Sequence, residues 1–329
     1  MYPNIPLWAA LLFVAVGLWT LAWSANRFVD GAEAIAHSFG VSPFVIGMVI
    51  IGFGTSAPEL TVSAISGTMD HSNLSLGNAY GSNIFNIAVI LGITALIHPV
   101  TVRPMVAFVA SPLLVGISVL SCLLVCAGGG FSRTDGAIQL LSFAVLLPLY
   151  CLIDRKSKAD AAGTEENAPS HAMKHPWIVL DVGLVLLVAS SHLLVWGSVV
   201  VARALGISEL MIGLTIVAAG TSLPELASAI ASARKSQNDF VLGNIIGSNF
   251  FNTLAVVGLS GTICPFKDIS PHVLTRDLTV MVLLSLSIGV FGVNFRKPSA
   301  SGQILRWEGA LWLLAFAVYA TVLIIQETR

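Results

Sequence analysis

Glu59 and Glu225 each lie inside a long apolar run, one residue after a proline and five after a glycine. They close two copies of one motif, Gly54-Thr55-Ser56-Ala57-Pro58-Glu59 and Gly220-Thr221-Ser222-Leu223-Pro224-Glu225. A carboxylate deep in a spanning helix costs about 2.5–3.5 kcal/mol on insertion scales, so it is tolerated facing protein or a water-filled cavity. Two at equivalent places imply one shared site. The prolines suggest its chemistry. Pro58 has no N–H for the carbonyl of Gly54, and Pro224 none for that of Gly220. Carbonyls around Gly54, Thr55, Gly220 and Thr221 are therefore expected to lose helix partners. Thr55 and Ser56 lie four and three residues before Glu59, on its helix face. Such an all-oxygen set suits Ca²⁺, which takes roughly six to eight oxygen ligands, and Na⁺ can use the same atoms.

A second pair of segments adds uncharged oxygen. Asn78, Ser82 and Asn86 are spaced four apart, as are Asn244, Ser248 and Asn252, giving one polar stripe on each of two helices. With two carboxylates the site matches one Ca²⁺, and Na⁺ ions would compete for the same charges. Asn83 and Asn249 fall off the stripes and are expected to be structural. Glycine pairs Gly77/Gly81 and Gly243/Gly247 are expected to be helix-packing faces.

These segments belong to an internal repeat. Residues 47–86 and 213–252 align at an offset of 166 without a gap, with 17 of 40 positions identical. Around them, apolar runs of spanning length fall at 7–25, 44–67, 74–97, 105–127 and 136–153. A second set falls at 177–203, 210–233, 240–263, 273–293 and 308–325. The expected fold is an all-α polytopic membrane protein with ten transmembrane helices. Five helices per half is an odd number, so the second half enters the membrane from the opposite side, as two inverted five-helix repeats. The expected division is a first half at 1–153, a polar, flexible linker at 154–175 and a second half at 176–329.

Composition sets the class independently. The chain is 56% hydrophobic and 10% charged, with mean hydropathy +0.88, whereas soluble domains are about a quarter charged. So few charges cannot cover a globule, and the apolar surface must face lipid. A net charge of −1 gives no sign of a nucleic-acid partner. Cys122, Cys126, Cys151 and Cys264 show no metal-binding spacing and are expected to be packing residues. Residues 7–24 are expected to form the first helix rather than a cleaved signal. Lys and Arg divide eleven to five between the two sides, which predicts a cytoplasmic linker in a plasma or inner membrane protein. His192 is expected to be a hydrogen-bonded packing residue and Asp181 interfacial.

The two long motifs, GTSAPEL at 54–60 and GTSLPEL at 220–226, are each followed by GNxxGSNxxN, at 77–86 and 243–252. On these the chain resembles the cation/calcium exchanger superfamily, and most of all its prokaryotic sodium/calcium exchangers. The resemblance implies a 5+5 inverted fold working by alternating access. Ions then bind between helices 2, 3, 7 and 8, while helices 1 and 6 slide across that core. It implies Glu59 and Glu225 as principal ligands. Thr55, Ser56, Thr221, Ser222, Ser82 and Ser248 would add oxygens, with Asn86 and Asn252 at the central amide positions. Asn252 stands where potassium-moving relatives carry aspartate, which favours potassium-independent exchange. Thr55-Ser56 stands where proton/calcium relatives usually carry Asn-Ala.

The expected function is thus secondary active antiport of Na⁺ for Ca²⁺, with no cofactor beyond the transported ions and no enzymatic activity. The alternative is an H⁺/Ca²⁺ or K⁺-dependent exchanger of the same fold. A channel is disfavoured because paired carboxylates suit occlusion better than rapid conduction. A hydrolase using Ser56 or Ser222 needs a base, and His71 is the only histidine in the repeated segments.

Overall fold

In lipid every backbone N–H and C=O must be satisfied within the protein, so apolar runs of this length fold as helices. The computed structural model describes residues 5–60, 63, 72–127, 130–161, 173–206, 218–266, 269 and 271–327. Residues 162–172 of the expected linker, residues 210–217 of the seventh apolar run, and His71 lie outside them. The first half holds α1 (Leu7–Phe39), α2 (Pro43–Thr55), α3 (Ser75–Ile97), α4 (Val106–Cys126) and α5 (Arg133–Arg155). The second holds α6 (Pro176–Ala204), α7 (Leu223–Arg234), α8 (Asn238–Ile263), α9 (Val273–Gly292) and α10 (Arg306–Gln326). Among the described residues, eight of these are long and apolar enough to cross a membrane; α2 and α7 are shorter, because both are interrupted at the repeated motif.

Local chemistry explains the ends. α1 stops at Gly40, whose left-handed φ of 61° lets its N–H reach the carbonyls of Ala36 and His37. α2 starts three residues later, where the Ser42 hydroxyl accepts from the N–H of Val45 at 3.2 Å and Pro43 occupies the first turn. The helix of α5 continues to Ala161, so the first part of the expected linker is helical.

The repeat is visible in the backbone. π-helical turns occur at Asn86–Leu91 in α3 and Phe251–Val256 in α8, and again at Val106–Ala110 in α4 and Val273–Asp277 in α9. The halves are interlocked rather than side by side. A Cβ added at Gly309 of α10 would lie 2.7 Å from the carbonyl oxygen of Gly92 in α3. One added at Gly136 of α5 would lie 2.7 Å from the carbonyl oxygen of Gly258 in α8. Each half therefore sends its last helix against the third helix of the other. α8 is the centre of the bundle, with 94% of its spanning window buried against 17% for α5 and α10.

Short pairings tie the ends of the bundle. Strands β1 (Val100–Val102) and β2 (Gly302–Ile304) pair antiparallel, with Thr101 opposite Gln303. A single bridge joins Phe131 to Phe266, whose N–H groups each donate to the other's carbonyl at 2.8 Å. Directly after β1, Arg103 binds Asp239 at 2.9 Å and approaches Asp154 at 3.9 Å, joining the start of α4, the start of α8 and the end of α5.

Candidate ion-binding site

Both motif helices break at the same serine. Ser56 has φ −83° and ψ 5°, and Ser222 has φ −92° and ψ 9°, the sparsely populated region between helix and strand. Helix resumes at once, because Pro58 and Pro224 sit in the first turn of the new segment, where a missing N–H costs nothing. Backbone bonds then run from the N–H of Leu60 to the carbonyl of Ser56 and from that of Leu226 to Ser222, both at 3.1 Å. One turn further on stand the glutamates.

Their carboxylates are bound crosswise. Ser222 Oγ donates to Glu59 Oε1 at 3.4 Å, and Ser56 Oγ donates to Glu225 Oε1 at 3.4 Å. Thr221 also reaches Glu59, and Thr55 reaches Glu225. Each motif thus supplies the hydroxyls for the other motif's acid. Both glutamates are 1% exposed.

α3 and α8 brace this centre. Asn78 Nδ2 donates to the backbone carbonyl of Glu59 at 3.4 Å, and Asn244 Nδ2 to that of Glu225 at 3.2 Å. Their second amide hydrogens go to Ser63 at 3.1 Å and Ser228 at 2.9 Å. The first members of the two polar stripes therefore hold the glutamate backbones. Asn86 and Asn252 fall in the π-helical turns, where the helix widens, a feature common at functional sites. Ser82 and Ser248 are buried, and Ser248 Oγ lies 3.5 Å from the carbonyl oxygen of Gly52 in α2. Close contact with α2 is possible because Gly243 and Gly247 carry no side chain.

The off-stripe asparagines cross between the halves. Asn83 donates to Thr253 at 2.7 Å, and Asn249 accepts from Asn86 at 3.0 Å. Three other expectations differ from what is found. Gly77 and Gly81, unlike Gly243 and Gly247, are not a packing face, since among the described residues an added Cβ at either meets nothing within 4 Å. His192 is exposed on α6 and does not pack in the interior, because it projects away from the face that meets α1. The Gly220 carbonyl, freed by Pro224, is not left open: Ser191 Oγ of α6 donates to it at 2.9 Å. Nothing in the motif itself pointed to Ser191, although adjacent serines in an apolar helix were a signal.

Several buried oxygens at the centre have no hydrogen-bond partner, namely Glu59 Oε2, Glu225 Oε2, Asn86 Oδ1 and Asn252 Oδ1. An orphaned buried acceptor costs about 1–3 kcal/mol, more when charged, and four around two facing motifs suit a cation. These unpartnered atoms are carboxylate and amide oxygens, hard ligands that suit a hard cation.

The sequence pattern of the sodium/calcium exchanger protein family matches residues 9–153 and 175–325. The chain belongs to that family. It is 41% identical to CaxA of Alkalimonas amylolytica over 320 residues, covering 95% of this chain and 98% of that one. It is 39% identical to the inner membrane protein YrbG of Escherichia coli (strain K12) over 322 residues, covering 95% and 96%. A solved structure of the sodium-calcium exchanger NCX_Mj, soaked with zero Na⁺ and Ca²⁺, matches with a TM-score of 0.81 at 29% identity, over 96% of this chain and 98% of that one. The exchanger described here is thus an integral, multi-pass membrane protein of two inverted five-helix repeats. It is a cation antiporter of a family of transporters, not of catalysts.

Proposed function

We propose that this exchanger moves Na⁺ and Ca²⁺ in opposite directions across the membrane by alternating access, with the ions bound between α2, α3, α7 and α8. The observation that carries the reading is the crosswise pairing of Glu59 with Ser222 and of Glu225 with Ser56 around unpartnered buried oxygens. The ligand set is Glu59, Glu225, Thr55, Ser56, Thr221, Ser222, Ser82, Ser248, Asn86 and Asn252. Two carboxylates balance one Ca²⁺, and Na⁺ ions sharing the same charges compete with it, which is what couples the two fluxes. NCX_Mj, a sodium-calcium exchanger with the same fold, supports this choice of ions.

The proposed division is a first half at 1–153, a connecting segment at 154–175 and a second half at 176–329. The Lys/Arg asymmetry supports a cytoplasmic connecting segment, and the similarity to an inner membrane protein supports a plasma or inner membrane location, with lipid around the bundle. The test is ⁴⁵Ca²⁺ uptake into sodium-loaded proteoliposomes diluted into sodium-free buffer, with and without potassium. Uptake that needs the outward sodium gradient and ignores potassium is expected. Uptake driven by a proton gradient instead, or only with potassium, would replace the coupling ion and leave the fold standing.

A further inference from the structure

The two halves of the site are built from matching residues, but the helix lying across them is not matched. At the offset of 166, α6 corresponds to α1: Gly183 to Gly17, Ser190 to Ser24 and Gly197 to Gly31. Ser24 and Ser190 behave alike, each hydrogen-bonding one turn back in its own helix, to Leu21 at 3.2 Å and Leu187 at 3.0 Å. The next position breaks the symmetry: α6 has Ser191 and α1 has Ala25. Ser191 is buried and donates across to the Gly220 carbonyl. α6 presses close here, since a Cβ added at Gly220 would lie 2.5 Å from Val195. Gly54, the counterpart of Gly220, instead packs against the apolar side chains of Leu184 and Phe28.

We infer that Ser191 is a positioning residue: by holding the carbonyl that Pro224 frees, it fixes the turn at Thr221 and Ser222. Those two hydroxyls are the ones that reach Glu59. The brace therefore acts on the Glu59 side of the site and has no counterpart for Glu225, whose partners Thr55 and Ser56 follow Gly54. The two carboxylates are inequivalent although their motifs match. An ion held mainly by Glu59 depends on Ser191; one held mainly by Glu225 does not. The alanine at position 25 cannot make the same bond, having no hydroxyl. The inference rests on the proposed site, with Ser191 itself outside the ligand set.

Ser191→Ala, Ser191→Thr and Ser190→Ala test it in the full-length protein. Two readouts are used: amide hydrogen exchange across 218–226 without added ions, and Ca²⁺ titration of the purified protein. Ser191→Ala is expected to speed exchange at 221–222 and weaken Ca²⁺ binding by roughly three- to tenfold, the equivalent of one buried hydrogen bond. Ser191→Thr, which keeps the hydroxyl, should restore both, and Ser190→Ala should match the wild type. Unchanged exchange at 221–222 or unchanged Ca²⁺ affinity in Ser191→Ala would overturn the proposal, as would equal effects from Ser190→Ala. The hydrogen-exchange arm needs no ion. A wild type that performs no Na⁺/Ca²⁺ exchange would count against the functional reading alone, and that arm would still decide the role of Ser191.

Discussion

Ser222 donates to Glu59 across the boundary between the two repeats, at 3.4 Å, and the mirror pair Ser56 and Glu225 has the same length. A site built within one repeat would keep each acid with the hydroxyls of its own motif. Here each acid's side chain leans on the opposite motif while its backbone is held by its own half, through Asn78 for Glu59 and Asn244 for Glu225. A change at either acid is therefore felt in both halves.

Glu59→Gln and Glu225→Gln should each abolish Na⁺/Ca²⁺ exchange and leave the protein folded. Glutamine keeps an oxygen for the serine and nearly the same shape, so what is lost is the negative charge that balances the cation. ⁴⁵Ca²⁺ uptake into proteoliposomes, paired with gel-filtration profiles, checks both halves of the expectation. Normal uptake by either variant would sink the site assignment.

Ser222→Ala should weaken Ca²⁺ binding by about tenfold, near the lower end of what a hydrogen bond to a charged group contributes, since 3.4 Å is long. Because Ser222 and Glu59 are hydrogen-bonded to each other as well as sharing the site, adding Ser222→Ala to Glu59→Gln should cost less than it does alone. A calorimetric double-mutant cycle measures this coupling. Strict additivity would mean that the two side chains act independently.

Much of this arrangement was legible in the sequence, for physical reasons. Pro58 and Pro224 each remove a helix hydrogen bond inside an apolar run, which is the signal for the interruptions at Ser56 and Ser222, although Pro148 sits within α5 without breaking it. The 166-residue offset shows that the motifs are duplicated. It does not show which hydroxyl meets which acid, because crosswise and same-side pairing share one sequence. The π-helical turns at Asn86 and Asn252 leave no pattern of residue types, since they shift the backbone ladder without changing which residues are apolar. His192 and Ser191 are neighbours on α6 with opposite fates, one exposed and one buried against Gly220. Only the packing of α6 decides which side faces inward.

Gly183→Ala should destabilise the folded protein by about 1–3 kcal/mol, the usual cost of overpacking a tight contact. Its added methyl would lie 2.7 Å from the backbone nitrogen of Phe28 in α1, and the mirror position Gly17 meets Leu194 of α6 in the same way. Backbone atoms at that distance cannot yield as a side chain end would, so α1 and α6 must separate. Gly116→Ala in α4 is the control, because an added Cβ there meets nothing within 4 Å. Thermal unfolding in detergent should show a lower midpoint for Gly183→Ala and none of that loss for Gly116→Ala.

Two ion pairs at the edges of the bundle should differ in worth because they differ in burial. Lys235 reaches Asp30 of α1 at 2.5 Å, but both side chains are about 30% exposed, at 27% and 31%. Solvent screening limits such a pair to about 0.2–1 kcal/mol, so Lys235→Ala should barely move the unfolding midpoint. Arg103 is the counter-charge of Asp154, whose side chain is only 3% exposed, and it also binds Asp239. Arg103→Ala leaves the buried aspartate uncompensated, which costs about 3 kcal/mol or more. Arg103→Ala with Asp154→Asn should recover part of that loss, because the buried charge is removed with its partner. Equal midpoints for the Lys235 and Arg103 variants would mean that Arg103 contributes no more than an exposed pair, and the clamp between α5 and α8 would then rest on packing alone.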